Sequence, residues 1–119
     1  MRKTFSDDLY LAMSKDKKIF FILGDVGFGF FDKLKKDFPD RVINPGASEQ
    51  LMMGMASGMA MDGFKPIVYS ITPFILFRPF EFIRNFISQW SLRAYPDCIA
   101  VFAGLYIIAS ILSTDIIFI

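Results

Sequence analysis

Five apolar residues without interruption, Ile19–Leu23 (IFFIL), closed at once by Gly24 and Asp25, constrain this chain more than any other feature. A half-exposed strand alternates apolar and polar side chains. An unbroken run bounded by a glycine turn is what a strand buried on both faces requires. Such a strand needs helices above and below it, and the neighbouring segments have the right spacing. Phe5, Leu9, Ala12 and Met13 recur at helical intervals before it. After the GDVGFG loop, FFDKLKKDF (residues 30–38) reads as a short helix stopped at Pro39, and RVI (41–43) as a second strand. Beyond the Asn44-Pro45-Gly46 turn, Ser48 stands where it could cap a helix running to about Met61 and closed by Asp62 and Gly63. PIVYSI (66–71) is a third strand, and residues 74–90 read as a further helix with Pro79 near its first turn or at a kink. Strands alternating with helices predict an α/β domain, mostly parallel sheet with helices on both faces. Ligands in that architecture sit at the carboxyl ends of the strands, where Asp25, the NPGASE loop and the Thr72-Pro73-Phe74 segment all fall.

With 119 residues the chain makes one domain of ordinary size. Thirteen basic residues against twelve acidic ones leave a net charge of +1, so no nucleic-acid footprint is expected. There is no histidine, and the single cysteine, Cys98, lies in an apolar run. The chain therefore has neither the usual proton-transfer group nor a metal-ligand set, and its chemistry must lean on carboxylates, a cofactor or another chain. A lone cysteine suits a reducing compartment, and the charged start MRKTFSDDLYLAMSKDKK lacks the apolar stretch of a secretory signal, so a cytoplasmic location is expected. Fifteen phenylalanines and a hydrophobic fraction of 54% are high for a small domain and point to surface covered by a subunit or a membrane.

Glu49 is the carboxylate of interest, because it opens a Met-, Gly- and Ala-rich segment otherwise suited to burial. At the first turn of a helix it would also be favoured by the helix dipole alone. Gly54 and Gly58 form a GxxxG that, with Ala56, Ser57 and Ala60, allows close helix packing. The glycines of LGDVGFG match no nucleotide-loop pattern, and Asp25 is open to either a site role or a capping role. Phe74, Phe77, Phe80 and Phe82 lie at near-helical spacing, which fits a core stripe better than a ligand cage.

In order along the chain come Pro39-Asp40-Arg41, Asn44-x-Gly46, the Glu49-Gln50 pair, a small-residue helix, Gly63-x-Lys65-Pro66 leading to Tyr69-Ser70, Thr72-x-Phe74 and Phe80-x-x-Ile83-Arg84. This series, with the strand ending in Gly24-Asp25, resembles the pyrimidine-binding domain of transketolase-type thiamine diphosphate enzymes, including deoxyxylulose-5-phosphate synthase, over roughly residues 1–85. The resemblance implies that Glu49 hydrogen-bonds N1′ of the cofactor's aminopyrimidine and promotes the imino tautomer that activates the thiazolium. A carboxyl group in a dry pocket with a raised pKa suits that task. The resemblance further implies that Phe74, with Phe77 and Phe80, packs on the pyrimidine, that Asp25 lies near the cofactor, and that Arg78 matches an arginine of the synthase branch. Substrates would be sugar phosphates or 2-oxoacids, between which ketol or acyl units are transferred. Diphosphate and Mg²⁺ would be held by a partner carrying a GDG motif, which LGDVG is not, so a homo- or hetero-oligomer is implied and inactivity of the chain alone is expected.

Residues 86–119 depart from the resemblance. They form a hydrophobic tail, read either as a truncated or frame-shifted end or as a strand and helix completing the sheet. The apolar run over 98–113 is short for a bilayer span, and Asp115 follows it, so membrane insertion is not expected. Two other readings stand beside the transferase: a non-catalytic interaction protein with a membrane-associating tail, and a fragment like the beta subunit of a 2-oxoacid dehydrogenase.

Overall fold

The computed structural model describes residues 2–85 and 100–103. Its centre is the apolar run itself, β1 (Ile19–Leu23), flanked by β2 (Val42–Ile43) on one side and β3 (Lys65–Ser70) on the other. A fourth strand, β4 (Ala100–Ala103), comes from the hydrophobic tail and pairs with β3. All pairings are parallel and the strand order is β2-β1-β3-β4. Phe21 lies opposite both Val42 and Ile67 in this register.

Side chains alternate across the sheet and feed two cores. On one face Phe21, Leu23, Ile67 and Tyr69 pack with Leu9 and Met13 of α1 (Arg2–Lys15), with Phe31, and with Leu34 of α2 (Asp32–Asp37). On the other, Ile22 and Val68 pack with Met52, Met53 and Ala56 of α3 (Glu49–Met61), with Ile75 of α4 (Thr72–Phe77) and with Ile83. Helices therefore cover both faces, as the unbroken apolar run requires. The first core is aromatic: Phe5, Phe21, Phe31 and Tyr69 meet with ring centroids 4.9–6.3 Å apart, mostly edge-on or tilted.

Three sequence expectations change in detail. The helix expected over 74–90 is interrupted at Arg78-Pro79; α4 ends at Phe77, α5 covers Phe80–Phe82, and the backbone widens into a π-helical turn over 83–85. Pro79 has no N–H for the carbonyl of Ile75 and its ring would collide with that turn, so a regular helix cannot pass through it. Residues 86–90 of the expected helix lie outside the described residues. Second, Arg41 belongs to a 3₁₀ turn, Pro39–Arg41, and not to the strand. Its Nη1 donates to the main-chain oxygens of Met13 (3.0 Å), Asp16 (3.1 Å) and Ile19 (3.4 Å), satisfying carbonyls where α1 ends and β1 begins. Third, the four phenylalanines are not a core stripe: Phe77 and Phe80 are exposed, Phe74 borders on exposed, and only Phe82 turns inward, its ring 3.3 Å from where a Cβ on Gly54 would stand. The small residue at 54 thus admits a ring of this chain. Among the described residues no helix is long and apolar enough to cross a membrane.

Candidate functional site

The chain leaves β1 toward β2 on one side, then crosses back to β3 on the other. The carboxyl ends of β1 and β3 are therefore a topological switch point, where neighbouring connections diverge and leave a crevice. Gly24 follows β1, Ser70 ends β3, and the loop after β2 delivers the first turn of α3. A Cβ on Gly24 would come within 2.8 Å of Met52 Sδ and 3.2 Å of Ser70 Oγ, so glycine is what lets these segments close.

Glu49 stands in that crevice, only 3% exposed. Its Oε1 accepts a hydrogen bond from Ser70 Oγ at 3.1 Å, and its Oε2 accepts from Arg78 Nη1 at 3.0 Å. Ser48 occupies the N-cap position, but its hydroxyl donates back to the Pro45 carbonyl (3.0 Å) and does not cap the helix. Glu49's own backbone N–H, at the first turn of α3, also favours its charged form. Burial pushes the Glu49 carboxyl up, but its backbone N–H, Arg78 and Ser70 outweigh that, and the net result is a pKa below the ordinary value of 4.5. This corrects the raised pKa expected from the sequence: the pocket is dry, yet it holds donors for the charged form.

Arg78 does two things at once. While donating to Glu49 it lays its guanidinium over the Phe74 ring, 4.0 Å from the centroid, and its side chain stays 53% exposed. Gln50 Nε2 donates to the Arg78 carbonyl at 3.3 Å, tying the α4–α5 turn to α3. An open cleft of about 440 Å³ in front of the carboxylate is lined by Ala47, Ser48, Glu49, Gln50, Leu51 and Arg78. A smaller one, about 240 Å³, lies on the other face of the sheet between α1 and α2, lined by Lys3, Tyr10 and Lys33 among others, away from this chemistry.

Asp25 adopts φ 53°, a left-handed conformation that costs a non-glycine residue energy and is common near sites. Asn44 holds it there: its Oδ1 accepts from the backbone N–H of Asp25 (3.2 Å) and of Gly46 (3.0 Å), and its Nδ2 approaches Asp25 Oδ1 at 3.5 Å. The fold brings Glu49 and Phe74 together through Arg78 and sets Asp25 at the neighbouring strand end. Phe77 (76% exposed) and Phe80 (59%) project from the α4–α5 segment into solvent. In the sequence Asn44 and Ser70 stand out only as members of the Asn44-x-Gly46 and Tyr69-Ser70 motifs, and nothing there pairs them with Asp25 and Glu49.

The model of the transketolase pyrimidine-binding domain matches residues 1–101. A putative transketolase C-terminal section of Methanocaldococcus jannaschii is 31% identical over 106 residues, 88% of this chain and 33% of that protein. A 33.6 kDa protein of the fasciation locus of Rhodococcoides fascians is 39% identical over 90 residues, 75% of this chain and 29% of that one. A solved split-gene transketolase, an inactive beta4 tetramer, superposes with a TM-score of 0.70 at 29% identity, over 86% of this chain and 32% of its own. The chain thus spans about a third of the length of these relatives.

Proposed function

This chain belongs to the transketolase pyrimidine-binding domain family, and from that premise we propose that it supplies the aminopyrimidine-binding side of a thiamine diphosphate site in a transketolase-type transferase. The observation that carries the reading is the buried Glu49 carboxylate at the switch point, lining an open cleft and joined to the Phe74 ring through Arg78. A flat heteroaromatic ring with a basic nitrogen on its edge fits such a pair: the carboxyl group meets the edge and the phenyl ring takes the face. When bound, thiamine diphosphate supplies an acidic carbon and an electron sink for chemistry beside a carbonyl.

The chain's own residues then have separable tasks. Glu49 shares a proton at a carboxyl oxygen with the ring nitrogen. A ring nitrogen bound there would meet the carboxyl oxygen that Arg78 holds in this structure, and with Arg78 displaced the donors favouring the charged form of Glu49 would be fewer. Ser70 fixes the other carboxyl oxygen and so sets the orientation of the group. Phe74 provides the stacking face, and Asp25 borders the site from the β1 end. Substrates in this reading are sugar phosphates or 2-oxoacids exchanging ketol or acyl units. Diphosphate and Mg²⁺ fall to a partner chain or domain with a GDG motif. A relative described as a C-terminal section, and another as an inactive tetramer of a split-gene enzyme, support a site divided between polypeptides and a chain that assembles without turning over alone.

Reconstitution tests this. Mixed with a diphosphate-binding partner chain, thiamine diphosphate and Mg²⁺, the chain should catalyse carboligation. Glu49→Ala should lower the rate by about a hundredfold or more while size-exclusion chromatography shows unchanged assembly. An unchanged rate would remove Glu49 from the chemistry.

A further inference from the structure

We propose that Arg78 is a built-in stand-in for the ligand's flat ring, making the ring's two contacts itself and leaving when the ring arrives. The inference rests on the reading of the site given above and adds how that site is kept ready.

A guanidinium is planar, carries N–H donors along its edge, and stacks on aromatic faces. In this fold both groups are engaged together: Nη1 donates to Glu49 Oε2 at 3.0 Å and Cζ sits over the Phe74 ring, 4.0 Å from its centroid. These are the face and edge contacts that an aminopyrimidine would make with the same two residues. Ring and guanidinium cannot occupy them simultaneously, so binding requires displacement. The structure makes displacement feasible. The Arg78 side chain is 53% exposed, whereas the Glu49 side chain is 3% exposed, so the cation can move into water and the carboxylate cannot. The backbone at 78 need not follow, because its carbonyl accepts from Gln50 Nε2 and Pro79 comes next. The arrangement spares Glu49 the cost of a buried, underpaired charge.

The test uses the purified chain as wild type, Arg78→Ala and Arg78→Lys, each also with Glu49→Gln, and circular dichroism to verify folding. Calorimetry follows binding of 4-amino-5-hydroxymethyl-2-methylpyrimidine, the isolated ring. Arg78→Ala should bind it about tenfold more tightly than wild type, the scale of one exposed ion pair and one cation–π contact no longer competing. Arg78→Lys should also gain, by less, because an ammonium keeps its charge near Glu49 but cannot lie flat on Phe74. It carries the test if Arg78→Ala does not fold, and a purely electrostatic role for Arg78 would leave it at the wild-type affinity. Equal or weaker binding by the folded Arg78 variants, still abolished by Glu49→Gln, overturns the stand-in and leaves the site intact. Binding by no variant, or binding indifferent to Glu49→Gln, overturns both.

Discussion

Replacing Ser70 by alanine removes one hydroxyl from the described site and should be felt in stability as well as function. Ser70 is 1% exposed and donates to Glu49 Oε1 at 3.1 Å. A hydrogen bond to a charged group contributes about 1.5–3 kcal/mol, and Glu49 keeps its other partners, so a loss of about 2 kcal/mol is expected at neutral pH. For a domain of this size that corresponds to roughly a 10 °C fall in midpoint temperature. The effect should depend on pH in one direction. The folded-state pKa of Glu49 lies below 4.5, so its charged form contributes stability that is fully present above the unfolded value and is lost as pH falls through the folded one. Once Glu49 is protonated only a neutral hydrogen bond remains, and the gap should shrink to about 1 kcal/mol. Urea unfolding of both proteins at pH 7, and down to the lowest pH at which both fold, gives the two gaps. A gap under about 0.5 kcal/mol at pH 7, or one that widens in acid, would refute the reasoning.

Two substitutions test the fold around the site. Arg41→Ala should cost about 2 kcal/mol in urea unfolding, because one half-buried guanidinium serves the carbonyls of Met13, Asp16 and Ile19, and Arg41→Lys should recover less than half of it. Gly27→Ala should cost about 3 kcal/mol by the same assay, since φ is 74° there and the added Cβ would stand 2.5 Å from Cε2 of the fully buried Phe31; a loss below about 1 kcal/mol would mean that the loop yields easily.

What the sequence discloses follows from the range of the forces involved. Ile19–Leu23 and the strand ending at Ser70 are legible because burial on both faces leaves an uninterrupted apolar run, a local signal. The helix opening at Glu49 is legible from its small and apolar residues and the Asp62-Gly63 stop. The segment after β3 is not, because the spacing of Phe74, Phe77, Phe80 and Phe82 mimics a buried stripe while Pro79 breaks the helix and turns three of the rings outward. The site is legible as a position and not as a network. Glu49 meets Ser70 and Arg78 across 21 and 29 residues, and Asn44 meets Asp25 across 19, distances at which periodicity carries no information. The sign of the Glu49 shift was lost for the same reason: burial can be inferred from neighbours in sequence, but the donors that outweigh it come from elsewhere in the chain.

The most direct measurement of the central claim is a two-dimensional NMR titration of the ¹⁵N-labelled chain with 4-amino-5-hydroxymethyl-2-methylpyrimidine. The account predicts shifts concentrated at the amides of Glu49, Gln50, Ser70, Phe74 and Arg78, and their loss in Glu49→Gln. Shifts centred instead on the α1–α2 cleft around Tyr10 and Lys33, or a pattern that survives Glu49→Gln unchanged, would contradict it.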